Sequence, residues 1–298
     1  MSKKNILIIS GASYDSIVYL DKFPEPLPQT IHESVFSEGP GSTGVGKASN
    51  LCHLGFNTSL QILVGDDYYG KQIRDFLSGK PVNQLVDIDP KGTERHVNLM
   101  NKNGERISIF ITSASSTPPI DYTKYEKLIQ DADIVILNII DYARQFIPLL
   151  KKYNKEVWTD LHDYNEGNPY HEDFIDAADY VFLSSDNLSD YKSTMQDIMS
   201  RNKKLVVCTH GKKGASALTS ELKWYDSPII DSYKVIDTNG AGDAFFSGYL
   251  YAHCKNLPTQ TCLTYGHILG GLCVNSHEIA PPQLSEDGVV NAYMKTVK

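Results

Sequence analysis

A chain of 298 residues that is 41% hydrophobic and 21% charged has the composition of a globular protein and can bury one substantial α/β core. Its net charge of −8 comes without a basic block, which argues against a nucleic-acid surface. Five scattered cysteines without C-x-x-C spacing (Cys52, Cys208, Cys254, Cys262, Cys273) read as reduced thiols of a cytoplasmic protein, not as disulfides or zinc ligands.

The first apolar run, Ile6–Ile9, is too short for a leader or a membrane span and reads as a buried parallel strand. Residues 17–20 and 30–36 read as exposed strands flanking the proline-rich 23–28. Gly44–Leu54 has helical spacing with Gly55 as its cap, Leu60–Val64 is a buried strand, and Tyr69–Leu77 a helix. His96–Met100 and Arg106–Ile111 flank Asn103-Gly104, a hairpin signal. Strands then alternate with helical stretches: Ile134–Leu137, Val157–Leu161, Tyr180–Leu183 and Leu205–Thr209. The pattern predicts α/β architecture, a doubly wound and mostly parallel sheet, with a small antiparallel β lid over the carboxyl ends of its strands. One domain over 1–298 is expected, its lid formed by about 16–37 and 93–111.

Asp237-Thr238-Asn239-Gly240-Ala241-Gly242-Asp243 follows an extended Tyr233–Ile236 and opens a helix at about Asp243. Unpaired N–H groups at a helix start hold anions, and Gly240 and Gly242 let backbone come close to one. Asp243 at that point reads either as an ordinary acid favoured by the helix dipole or as a working carboxylate.

A rival phosphate loop lies at 41–48, where Gly41-Ser42-Thr43-Gly44-Val45-Gly46-Lys47-Ala48 nearly matches G-x-x-x-x-G-K-[ST]. Ala48 lacks the metal-binding hydroxyl and Glu38-Gly39-Pro40 is not strand-like, so Lys47 reads as a solvated helix residue. Asp160, His162 and Asp163 end a strand but share no face. They read as loop polarity, with Asp160 the one to approach phosphate or metal.

The whole chain resembles the ribokinase-like (PfkB) family of sugar and nucleoside kinases. Asp237–Asp243 match that family's C-terminal D-T-x-G-A-G-D without a departure. The 64–70 stretch resembles V-G-x-D-x-x-G, and Asn103-Gly104-Glu105-Arg106 resembles a lid hairpin. Pro40–Gly55 aligns on the family's P-G-G-x-G-x-N signature, which turns the rival loop toward an acceptor rather than a nucleotide. The resemblance implies an anion hole at Gly240, Ala241 and Gly242 with Asp243 as base. It implies acceptor contacts from Asp15, Tyr14, Gly41, Ser42, Thr43, Gly44, Gly46 and Asn98. It places ATP against Ser184, Asn187, Thr209, Gly211, Gly214, Thr238 and Asn275, with His277 near the last, and Mg2+ near Asp160 and Asp186. A monovalent cation is compatible with the same pattern, as is a homodimer paired through the lid.

Two motifs depart from the family's pattern. The signature's second glycine and its asparagine are Ser42 and Gly46, and its N-x-x-E is Ser184-Ser185-Asp186-Asn187. The expected activity is an ATP-dependent sugar kinase. The runner-up is a nucleoside kinase, with Tyr14 beside Asp15 stacking on a base. A binding protein that has lost turnover is the third.

Overall fold

The computed structural model describes residues 3–102, 104–276, 278–281 and 284–297. The first half runs β1 (Asn5–Ile9), β2 (Ser13–Leu20), β3 (Val35–Gly41), α1 (Thr43–His53), β4 (Asn57–Val64), α2 (Tyr68–Ser78), β5 (Val82–Ile88), β6 (Glu94–Asn101) and β7 (Arg106–Thr112). Then come α3 (Glu126–Asp131), β8 (Ile134–Leu137), α4 (Ile147–Lys152), β9 (Val157–Asp160), α5 (Glu172–Ala177), β10 (Tyr180–Ser184), α6 (Tyr191–Ser200) and β11 (Leu205–Thr209). The chain closes with β12 (Ala215–Thr219), β13 (Trp224–Ser227), α7 (Ala241–Cys254), α8 (Thr259–Val274) and α9 (Glu286–Thr296).

Nine strands make the main sheet in the order β13-β12-β11-β10-β9-β8-β1-β4-β5. The seven from β11 to β5 are parallel, and β12 and β13 add an antiparallel edge. Alternation along β1 explains why both faces are covered. Ile6 and Ile8 enter a core with Val45, Ala48, Phe246 and Leu250, while Leu7 and Ile9 enter another with Tyr125, Tyr142 and Phe146. Each fully buried Leu or Ile contributes about 1.5–3 kcal/mol, so a strand of this kind is stable only inside a three-layer body. Helices α1, α2, α7, α8 and α9 cover one face and α3 to α6 the other.

The second sheet has the order β3-β2-β6-β7 and stands off the carboxyl end of β1. Three local expectations change. Residues 30–34 are not strand, because β3 starts only at Val35 beyond the proline-rich excursion. β5 and the β12–β13 edge were not anticipated, being short or polar runs. Tyr233–Ile236 forms no strand; the N–H groups of Ile236 and Asp237 donate instead to the Val274 carbonyl, at 2.7 and 3.1 Å. In the lid hairpin, Asn103 lies outside the described residues, and Gly104 takes φ +82°.

Candidate active site

The signature turn is built as its glycines require. Gly240 has φ +77° and caps α7, which starts at Ala241, two residues before Asp243. At Gly242 a side chain would meet nothing within 4 Å, so the backbone there opens onto free space. Asp243 therefore stands in the first turn of a fourteen-residue helix, where unpaired N–H groups and the dipole favour an anion. Asp237 supports the turn from below by accepting from the Asn239 N–H at 2.8 Å.

Across from this turn lies the start of α1. Gly41 ends β3 with no room for a side chain between it and the Asp15 carboxylate. Ser42 has φ +78° and donates to the Gly11 carbonyl at 3.0 Å, fixing the chain's entry into the helix. Gly44 packs on Ser10, and a Cβ at Gly46 would sit 3.0 Å from Asp243 Oδ2. The departure from asparagine at 46 thus has a steric reason in this protein: the carboxylate of Asp243 lies directly against that backbone. Gly41 thus meets Asp15, and Thr43 and Gly46 of α1 meet Asp243, the two carboxylates the sequence assigned to the acceptor and the base.

Asp15 is 8% exposed and accepts from Asn98 Nδ2 at 3.3 Å, as expected of a pair on neighbouring lid strands. Its Oδ1 is buried and lies 3.3 Å from His96 Nδ1, an ion-pair contact. His96 was missed by the sequence reading. Burial works against its charge, yet Asp15 and Glu94, the latter 3.1 Å from Nε2, raise its pKa to about 9. The signal was present in β6, where His96 alternates onto the face of Asn98. Tyr14, expected beside the acceptor, instead points away from Asp15 and packs its ring on Tyr69 at 5.3 Å, in the core.

Lys47 is the largest correction. It is wholly buried, where the sequence suggested a solvated residue. Its ammonium donates to Asp243 Oδ1 at 2.6 Å, to Asp160 Oδ2 at 3.1 Å and to the Thr43 hydroxyl, and stands 4.9 Å from the centre of the Phe246 ring. Thr43 in turn donates to Asp243 Oδ1. Burial alone would strip the lysine of its charge, but the two carboxylates outweigh that and hold its pKa above the ordinary value. Residues 44–52 of α1 are all buried, so the helix has no solvent face in that stretch for a lysine to occupy.

Asp160, His162 and Asp243 bring ligand atoms within 4.8 Å of one another, the arrangement a metal would need. Magnesium takes oxygen ligands in near-octahedral geometry at about 2.0–2.1 Å and dehydrates reluctantly. Here an ammonium already bridges the two carboxylates and the third donor is an imidazole, so the group does not fit magnesium. Asp186 is exposed just beyond β10 and carries no such conflict.

The expected nucleotide residues lie at the carboxyl ends of β10 and β11 and around the signature. Ser184 and Thr209 are register partners, and the Asn187 amide donates to the Asp163 carbonyl at 3.0 Å. Gly211 and Gly214 both have positive φ, and a side chain at Gly214 would collide with the Ser227 carbonyl. Thr238 Oγ1 donates to the lid's Gly104 carbonyl at 2.9 Å, and Asn275 follows the end of α8, where the Val274 carbonyl accepts from the Ile236 and Asp237 N–H groups. His277 lies outside the described residues. A cleft of about 420 Å³ runs between lid and signature, lined among others by Tyr19, His32, Lys102, Asp237 and Thr238.

A doubly wound sheet, a β lid and a helix-start anion turn bearing a carboxylate define a ribokinase-like phosphotransferase with a hydroxyl acceptor. The family profile described as pfkB family carbohydrate kinase matches residues 3–286. An acarbose 7(IV)-phosphotransferase of an Actinoplanes species is 32% identical over 277 residues, covering 89% of this chain and 90% of its own. Among solved structures, a microbiome-derived acarbose kinase superposes with a TM-score of 0.85 at 24% identity, over 98% of this chain and 100% of that one. Arabidopsis thaliana ribokinase, complexed with ribose and ATP, gives 0.79 at 20% identity over 98% and 99%. The chain belongs to the pfkB family of carbohydrate kinases.

Proposed function

We propose that the protein transfers the γ-phosphoryl group of ATP to a hydroxyl of a small carbohydrate. The observation that carries this is Asp243, set in the first turn of α7 beside the open backbone of Gly242, with its carboxylate against Gly46 of α1. Asp15 and Asn98 hold the sugar by its hydroxyls. Asp243 orients the attacking hydroxyl and takes its proton late, as a loose transition state allows. The N–H groups of Gly240 and Gly242 receive the charge that spreads over the equatorial phosphoryl oxygens, while that of Ala241 donates to the Thr238 carbonyl at 3.3 Å. Magnesium, carried by the nucleotide, supplies neutralisation of the phosphate charge, with Asp186 the carboxylate proposed to face it.

The sugar reading stands above the nucleoside one because Tyr14, the residue that would stack on a base, is packed on Tyr69. The reading carries with it a cytoplasmic location, where ATP is found. No helix among the described residues is long and apolar enough to cross a membrane.

The test is a coupled ADP-release screen over free sugars, sugar phosphates, acarbose and nucleosides. Sugar-dependent release is expected, and Asp243→Asn should lower turnover by at least the ~10²–10⁴-fold that a positioned base contributes, with ATP still bound. Wild-type turnover in Asp243→Asn would remove the base assignment. Release with nucleosides alone would move the protein to the nucleoside reading. ATP binding without turnover on any compound would make it a binding homologue.

A further inference from the structure

Beneath the proposed base lies a charged cluster that the phosphoryl-transfer scheme does not itself use. Lys47, on α1, is braced from β9 by Asp160 and lies over the Phe246 ring of α7. Asp160 is fixed in turn, since its Oδ1 accepts from the His162 N–H at 3.0 Å. The ammonium therefore has a defined position set by three elements. From there it reaches one oxygen of Asp243, and Thr43, one helical turn earlier on α1, reaches the same oxygen. The other oxygen, Oδ2, has no hydrogen-bond partner recorded among the described residues and overlies Gly46, whose missing side chain makes its place.

We propose that Lys47 is a positioning residue of the reaction: it locks Oδ1 of Asp243 so that Oδ2 is presented to the acceptor hydroxyl. This rests on the reading of Asp243 as base. In the step itself the acceptor oxygen forms a bond to the γ-phosphorus and the bond from phosphorus to the β-bridging oxygen breaks. ADP leaves with that electron pair, and the hydroxyl proton passes to Oδ2. Lys47 neither gives nor takes a proton. When Asp243 becomes neutral, Asp160 remains as partner to the buried ammonium, so the cluster is never left with an unpaired positive charge. A lysine with one carboxylate would lose its counter-ion at that moment; this one has two. Gly46 and Lys47 act as a pair, the glycine admitting the carboxylate that the lysine holds.

The experiment uses the full chain, with ATP and an acceptor found in the screen above. Lys47→Met keeps the length of the side chain and removes the charge. Its kcat should fall by ~10²-fold, the scale on which misplacement of a reacting group is felt, while KM for ATP stays within about threefold. Lys47→Met leaves the buried Asp160 without its lysine counter-ion, which is strongly destabilising. The double variant Lys47→Met/Asp160→Asn removes both charges, should recover the melting temperature, and should still show the low kcat. A purely structural lysine would give back kcat together with stability in the double variant, and that result would overturn the proposal. So would loss of ATP affinity at unchanged kcat, which would place Lys47 on the nucleotide. A wild type inert toward every acceptor would overturn the kinase reading itself, a failure distinct from an active wild type with an equally active Lys47→Met.

Discussion

His96 lies between two carboxylates, at 3.3 Å from Asp15 and 3.1 Å from Glu94, with its ring 4.0 Å from that of Phe110. Its pKa is raised from the ordinary 6.5 to about 9, the carboxylates outweighing burial, so the folded protein binds the proton more tightly than the unfolded chain. The stabilisation is complete below about pH 6.5 and is lost as pH rises through about 9. Thermal melts from pH 6 to 10 should show a decline across that window which His96→Gln lacks; parallel curves for the two proteins would refute the assignment. Such residues were hard to read in the linear sequence for a physical reason. Asp243 was found because a short motif surrounds it, and Asp15 through the family resemblance. Lys47 and His96 owe their roles to partners distant in the chain: Asp160 and Asp243 for one, Asp15 for the other. Only the all-buried helix around Lys47 could have warned that a lysine there had no water to reach.

At the scale of elements, the continuous apolar runs were legible because a strand covered on both faces leaves no alternation to misread. β8 and β11 were located to the residue, and β1 to within one residue at its start. β3 was shifted by five residues, since an edge strand of glycine, proline and glutamate has weak periodicity. The lid presents a second kind of pattern. Partners Phe36 and Val18, Leu99 and Ile107, and Val97 and Ile109 share the face turned away from the cleft. Phe36, Ile107, Ile109 and Ile111 on that face are 57%, 43%, 45% and 51% exposed. β7 is also an unpaired edge. Exposed apolar faces and open edges of this kind call for a cover. A homodimer paired through the lid, with which the family resemblance is compatible, would supply one. Sedimentation should give a dimer for the native chain and a shift toward monomer for Ile109→Asp; a native monomer at micromolar concentration would rule the pairing out.

Taken whole, the molecule ties its two substrate sides together. Among the described residues, three hydrogen bonds join the lid to the signature turn. Tyr19 donates to Asp237 Oδ2 at 2.5 Å, Thr238 donates to the Gly104 carbonyl, and Arg106 reaches Asn239 Oδ1 at 3.4 Å. The same lid strands carry Asp15 and Asn98, while the signature turn carries the proposed anion hole. On the proposed roles, ordering the lid over a sugar would also order the groups that receive phosphate, and a nucleotide that orders the turn would prepare the lid. Binding free energies obey reciprocity, so the factor by which a sugar tightens ATP must equal the factor by which ATP tightens the sugar. Titrations of ATP with and without a non-reacting sugar analogue should show that factor, and Tyr19→Phe should bring it toward one. Equal ATP affinity in both titrations of the native protein would mean that the three contacts carry no coupling. What the contacts describe is a ledge shared by two ligands, each of which finds its own half better made when the other is already in place.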